Sequence, residues 1–196
     1  MNKQIILASN NKGKIEEFKD YLKEYGINVI SQKEAGCNIE VEENGSSYEE
    51  NAKIKAEAIY KLTGKPVIAD DSGLEVDYIG GKPGLYSARF LGENASNKEK
   101  CEKILEMLKN AKDDERTARF KASICLIDEN GNFEFFSGVC EGKITYSMRG
   151  TNGMGYDPIF EYEGRTFAEM TEEEKIKVSH RGKAIKKLLD RFSKKE

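Results

Sequence analysis

Apolar residues follow two different rhythms along this chain. Ala118, Phe120, Ala122, Ile124 and Leu126 take every second position, the mark of a strand with one buried face. Glu129-Asn130-Gly131 then turns the chain into a second run, Phe133–Val139, so this region predicts an antiparallel hairpin. Elsewhere the spacing is helical. Ile15, Phe18, Leu22 and Tyr25 recur every three or four residues, and Gly26 ends that helix. Ser47 and Glu50 form a capping-box pattern that opens a helix to about Leu62, broken by Gly64-Lys65-Pro66. Lys98–Leu108 is amphipathic through Cys101, Ile104, Leu105 and Leu108. Thr171 and Glu174 repeat the capping pattern, and a final helix spans about Arg181 to Phe192.

Short apolar runs at Lys3–Ala8, Asn28–Ile30 and Val67–Asp70 predict buried strands, with a further short one at Ile144–Tyr146. Between them lie a polar loop at 31–46, acidic from Glu40 to Glu43, and an irregular loop marked by Gly80, Gly81, Pro83 and Gly84. The order β-α-β, α-β, hairpin, closing helix predicts an α/β fold with a mixed sheet. Length and the lack of repeats or linkers fit one domain over residues 1–196.

Charge narrows the partners. The chain has 32 basic and 35 acidic residues and a net charge of −3, which argues against binding duplex nucleic acid through many phosphates. No aromatic-rich basic strand motif points to RNA. A local basic pocket for a small phosphorylated ligand remains compatible with this balance. Cys37, Cys101, Cys125 and Cys140 are scattered, with no C-x-x-C pair, and the single His180 does not make a zinc set with them. They read as reduced, buried thiols of a cytoplasmic protein. The apolar run in MNKQIILASN is too short for a signal peptide, and no stretch approaches a membrane span.

Five stretches could carry chemistry. Asp70 and Asp71 close the run PVIADDSG, where a strand end would present carboxylates able to hold a divalent cation or poise a water. Ser9, Asn11, Gly13 and Lys14 lie between a strand and a helix start, where backbone N–H groups attract phosphate, although the spacing is not that of a Walker loop. Glu42 and Glu43 occupy the acidic loop. Lys55 shares a helix face with Asn51 and Ile59, whereas Lys53 points away from it. Gly150, Gly153 and Gly155 precede Tyr156-Asp157-Pro158 and no helix, so they suggest backbone approach to a flat ligand, with Tyr156 to stack on it. His180-Arg181 offers a fork of donors to a purine bearing a 6-keto acceptor, and Lys175 is a phosphate candidate.

Together and in this order the motifs resemble the inosine triphosphate pyrophosphatase family over nearly the whole chain. They are S-x-N-x-x-K (Ser9, Asn11, Lys14), E-x-x-G (Glu42, Gly45), E-N-A-x-x-K-A (Glu50 to Ala56) and A-D-D-S-G-L (Ala69 to Leu74). G-x-P-G-x-Y-S-A-R (Gly81 to Arg89), G-Y-D-P-I-F (Gly155 to Phe160), F-A-E-M-T-x-E-E-K (Phe167 to Lys175) and S-H-R (Ser179 to Arg181) complete the series. Ser9 stands where threonine is usual and keeps the hydroxyl; Asn152 and Met154 stand where a glycine and an aromatic are common. The resemblance implies an elongated α/β fold with a long central mixed sheet, two lobes with an active-site cleft between them, and a homodimer. It also implies Mg²⁺ and hydrolysis of XTP, ITP and dITP to a monophosphate and pyrophosphate.

Carried over by position, Asp71 is the implied proton acceptor and metal ligand, with Glu42 the second ligand. Ser9, Asn10, Asn11, Lys12, Gly13, Lys14, Lys55, Ser72 and Lys175 are implied to hold sugar and phosphates. Met154, Gly155, Tyr156 and Asp157, with His180 and Arg181, are implied to surround the base. From the residues alone Asp70 and Asp71 are interchangeable. The alternatives are a pyrophosphatase for pyrimidine or modified nucleotides and a nucleotide-binding module without turnover.

Overall fold

The computed structural model describes residues 3–193. An open mixed sheet carries the fold. Its strands are β1 (Lys3–Leu7), β2 (Ile27–Ser31), β3 (Val67–Val76), β4 (Lys82–Pro83), β5 (Thr117–Ile127), β6 (Phe133–Ile144), β7 (Phe160–Tyr162) and β8 (Arg165–Thr166). The order across the sheet is β2-β1-β3-β5-β6-β7-β8, with β4 paired to β3. β1 runs parallel to β2 and β3, while β3–β4, β6–β7 and β7–β8 are antiparallel. The helices are α1 (Lys12–Lys23), α2 (Tyr48–Thr63), α3 (Asn97–Met107), α4 (Glu172–Val178) and α5 (His180–Ser193). None among the described residues is long and apolar enough to cross a membrane. The α/β class with a mixed sheet is therefore as the sequence predicts.

Several elements differ from their sequence expectation. β3 does not stop at Asp70 but continues to Val76, so Asp70, Asp71 and Ser72 lie inside a strand and form no turn. Its far end is held by pairing of Glu75 and Val76 with Pro83 and Lys82. Ile144 ends β6, and Thr145–Tyr146 is no separate strand. Tyr25 falls beyond α1 and is exposed, whereas Phe18 and Leu22 are fully buried. At α2 only half of the expected capping box forms. Ser47 accepts from the Glu50 amide, but the Glu50 carboxylate turns to the amide and hydroxyl of Ser46. The box at Thr171 and Glu174 is complete.

The chain packs as two compact units, each with its own core. Of the described residues, 3–71, 123–136 and 184–193 make the first; 72–122 and 137–183 make the second. In the first, Ala52, Ala56 and Ile59 of α2 bury against Ile6 and Ala8, Val67 and Ala69 of β3, and Cys125 and Ile127 of β5. The three α2 residues recur at four and three positions, so one helix face fills the space over the strands. In the second, Cys101, Ile104 and Leu108 meet Leu74, Val76, Phe120, Tyr156, Phe160 and Phe167. Phe120 packs on Phe160 at 4.6 Å and on Phe167 at 5.8 Å between ring centres.

All four cysteines are free and buried, as the scattered pattern implied. Burial pushes the thiols of Cys101 and Cys125 up to about 12 and that of Cys140 to about 11. A thiol reacts as its thiolate. These three are therefore expected to resist iodoacetamide in the native protein at pH 8 and to alkylate after denaturation, with mass spectrometry counting the adducts. Rapid native labelling of any of the three would contradict the packing.

Candidate active site

The candidate residues fall into two groups, one in each unit. The first is built from the segment between β1 and α1, the first two turns of α2 and the middle of β3. Ser9 Oγ accepts from the Asn11 amide, and the Asn11 side chain caps α1 by accepting from the Lys14 amide at 3.1 Å. That cap starts the helix at Lys12 and sets Lys14 in its first turn. Lys14 Nζ then reaches the Asp70 carboxylate at 2.8 Å and the Asp70 carbonyl at 3.4 Å. Asp70 itself is 2% exposed. On α2, Asn51 and Lys55 are four residues apart and share a face. Asn51 donates to Asp71 Oδ2 at 3.1 Å. Lys55 Nζ lies 3.4 Å from Asp71 Oδ1, 2.9 Å from the Asp70 carbonyl and 3.0 Å from Glu43 Oε1.

The adjacent aspartates are thus not equivalent. Successive side chains of a strand leave on opposite faces. Asp70 engages Lys14, while Asp71 engages Lys55 and Asn51. Burial raises the pKa of Asp71; Lys55 and Lys14 pull it down, Glu43 raises it further and Asn51 lowers it. A buried carboxylate whose proton affinity is lifted is suited to accept a proton from water.

Hard oxygen donors dominate this group. Among the described residues no three His, Cys, Asp or Glu side chains converge as a metal cage. Mg²⁺ fits such a site, because it usually takes one or two carboxylates and completes its shell with water and substrate phosphate. Of the acidic loop, Glu43 is the residue joined to Asp71 through Lys55, and Glu42 is exposed. The residues that sequence reasoning underweighted are thus Asn51 and Glu43; the shared face of Asn51 and Lys55 was the available signal.

The second group surrounds Asp157 at the start of the segment leading into β7. Its Oδ2 accepts from the Met154 amide at 2.8 Å and lies 3.3 Å from Lys175 Nζ. Lys175 is no exposed helix lysine. Its side chain is 5% exposed, and it also contacts Glu172 at 3.0 Å. Two of the three glycines here, Gly150 and Gly153, serve the protein's own packing, whereas Gly155 has open space beside it and a φ of +61°. A Cβ on Gly153 would stand 2.1 Å from Asp157 Oδ2, and one on Gly150 would stand 2.3 Å from the Ala168 backbone. Tyr156 is likewise not a free stacking surface. It is 4% exposed, and its hydroxyl donates to the Ser87 carbonyl at 2.8 Å. Burial pushes that phenol well above its usual range.

His180 and Arg181 open α5 and are both buried. The imidazole stacks on Phe120 at 4.7 Å with 11° between planes. Arg181 donates to Ser72 Oγ at 3.0 Å. The structure thus brings Ser72, Arg181 and His180 into one unit with Met154, Gly155, Asp157 and Lys175.

A buried aspartate set among lysines, and a second basic group beside a glycine segment, are suited to meeting the charge of a phosphorylated ligand. The Ham1 family profile matches residues 5–191, and the chain belongs to the Ham1 family. The dITP/XTP pyrophosphatase of Clostridium perfringens is 48% identical over 96% of this chain and 96% of its own length. That of Bacillus subtilis is 45% identical over 95% of each. Among solved structures, the Ham1 protein of Staphylococcus aureus superposes with a TM-score of 0.88 at 41% identity, covering 99% of this chain and all of that one.

Proposed function

We propose that the chain hydrolyses non-standard purine nucleoside triphosphates (XTP, ITP and dITP) to the monophosphate and pyrophosphate, with Mg²⁺, clearing them from the nucleotide pool. It is a nucleoside triphosphate pyrophosphatase by its family, and the names of its relatives supply the substrate class. The observation that carries the reading is Asp71, a buried carboxylate in contact with Lys55 and Asn51 and within the field of Lys14.

Each group of residues takes a part of the work. Asp71 orients a water and accepts its proton as the water oxygen bonds to the α-phosphorus and the bond to the bridging oxygen breaks. The bridging oxygen leaves with the β- and γ-phosphates as pyrophosphate. Lys14 and Lys55, with the capped start of α1, offset negative charge on the phosphates. A divalent cation held by Asp71 and Glu42 or Glu43 would add further screening of that charge. In the second unit Lys175 contributes a fixed positive charge, and Arg181 with His180 reads the base.

A panel of nucleoside triphosphates with Mg²⁺, scored for monophosphate plus pyrophosphate against diphosphate plus phosphate, tests the reading. Strong preference for inosine and xanthosine triphosphates with pyrophosphate release is expected. Release of orthophosphate, or equal turnover of ATP, would sink it. Arg181→Ala is expected to erode the preference for ITP over ATP more than it weakens ITP itself. A donor aimed at the 6-position meets an acceptor in hypoxanthine but a donor in adenine, and a buried unmatched polar group costs roughly 1–3 kcal/mol. Equal loss of kcat/KM for both nucleotides would make Arg181 a structural or phosphate residue, held as it is by Ser72.

A further inference from the structure

We propose that Asn51 is a positioning residue that registers the acidic loop carrying Glu42 and Glu43 against Asp71, and thereby fixes how those carboxylates share a cation. Asn51 is 1% exposed, and both ends of its amide are used. Its Oδ1 accepts from the Gly45 amide at 2.8 Å, and its Nδ2 donates to Asp71 Oδ2 at 3.1 Å. One rigid, planar group on α2 therefore ties the end of the acidic loop to the side chain on β3. An amide is suited to this because it carries a donor and an acceptor on one carbon; a carboxylate or an aliphatic group would satisfy only one side or neither.

The loop is shaped around this contact. A Cβ on Gly45 would stand 2.7 Å from Asn51 Oδ1 and 3.0 Å from the Asn51 amide, so only glycine allows the approach. Glu43 precedes Gly45 by two residues and bonds the same Lys55 that touches Asp71. Without the Asn51 bridge the loop loses a short, planar tie to Asp71 and keeps the long, flexible one through Lys55. Partners that orient a metal's ligands typically carry about 10–100-fold in metal affinity or activity.

This inference rests on the proposed metal-dependent pyrophosphatase reading, and the experiment separates the two. Asn51→Leu keeps the shape without the amide, and Gly45→Ala breaks the same contact from the loop side while leaving Asn51 in place. Mn²⁺ binding to the nucleotide-free protein is followed by electron paramagnetic resonance, beside the Mg²⁺ concentration giving half-maximal pyrophosphate release. Both variants are expected to weaken Mn²⁺ binding and to raise half-saturating Mg²⁺ by about ten-fold or more. KM for inosine triphosphate at saturating Mg²⁺ should stay within about two-fold of the parent if only the carboxylates are misplaced.

If Asn51→Leu proves too unstable to purify, Gly45→Ala decides the matter alone. Unchanged Mn²⁺ affinity and Mg²⁺ dependence, whether or not the variants melt earlier, would make Asn51 a purely structural bridge and overturn the proposal. A parent enzyme that releases no pyrophosphate would instead overturn the functional reading.

Discussion

Asp71→Asn is expected to lower kcat/KM by about 10²–10⁴-fold, the range for losing a general base, while melting no lower than the parent at neutral pH in metal-free buffer. The substitution keeps the shape and an oxygen for Asn51 but removes the group that accepts the proton. The stability half follows from burial. Burial favours the neutral carboxyl more than Lys55 and Lys14 favour the ionised one, so the folded Asp71 keeps its proton to higher pH than it does unfolded. The folded state then binds more protons through that window, and stability declines as pH rises across it. Above the window the ionised Asp71 opposes folding, and the amide relieves that opposition. Any gain in melting temperature should vanish below the ordinary carboxylate range, where both states are protonated. The parent's kcat/KM should fall on its acid side at a pH above that range. Activity within a few-fold of the parent would remove Asp71 from the role of base. A neutral-pH melting point several degrees lower would show the ionised carboxylate to be stabilising.

Lys175→Met should destabilise the protein by about 3–5 kcal/mol, as expected when one member of a buried ion pair is removed. Methionine fills most of the volume but removes the ammonium group that faces the buried Asp157 carboxylate at 3.3 Å. Urea unfolding measures the loss. A change within about 1 kcal/mol, the range of an exposed pair, would contradict the burial. The second change separates structure from substrate binding. Asp157→Asn on the Lys175→Met background removes the buried charge that Lys175 faced and should recover part of the stability. It should not recover affinity for the triphosphate if Lys175 also contacts phosphate, because the positive charge is still missing.

The helices and the central hairpin were legible because their apolar residues repeat with the period of the element. β3 was not. Asp70, Asp71, Ser72 and Gly73 are poor strand formers and good turn formers, so a local reading ends the strand before them. Pairing with neighbouring strands overrides that local preference. The β7–β8 hairpin escaped because its strands span only three and two residues, although Glu163-Gly164 between them is a two-residue turn signal. In the site, chemistry was easier to read than burial. Lys175 and Tyr156 were placed among candidate contacts by motif, but only packing shows that one is sealed against Asp157 and the other is a core ring. Glu42 and Glu43 are neighbours of identical type, and nothing in the sequence says which of them turns toward Lys55.

The Lys55 junction has a consequence for anion binding. Around Asp71 both lysines are already engaged by carboxylates, Lys14 by Asp70 and Lys55 by Glu43 and Asp71. A phosphate that is to use these ammonium groups must therefore displace carboxylates that already hold them, so anion binding here is an exchange of partners and not the filling of an unpaired charge.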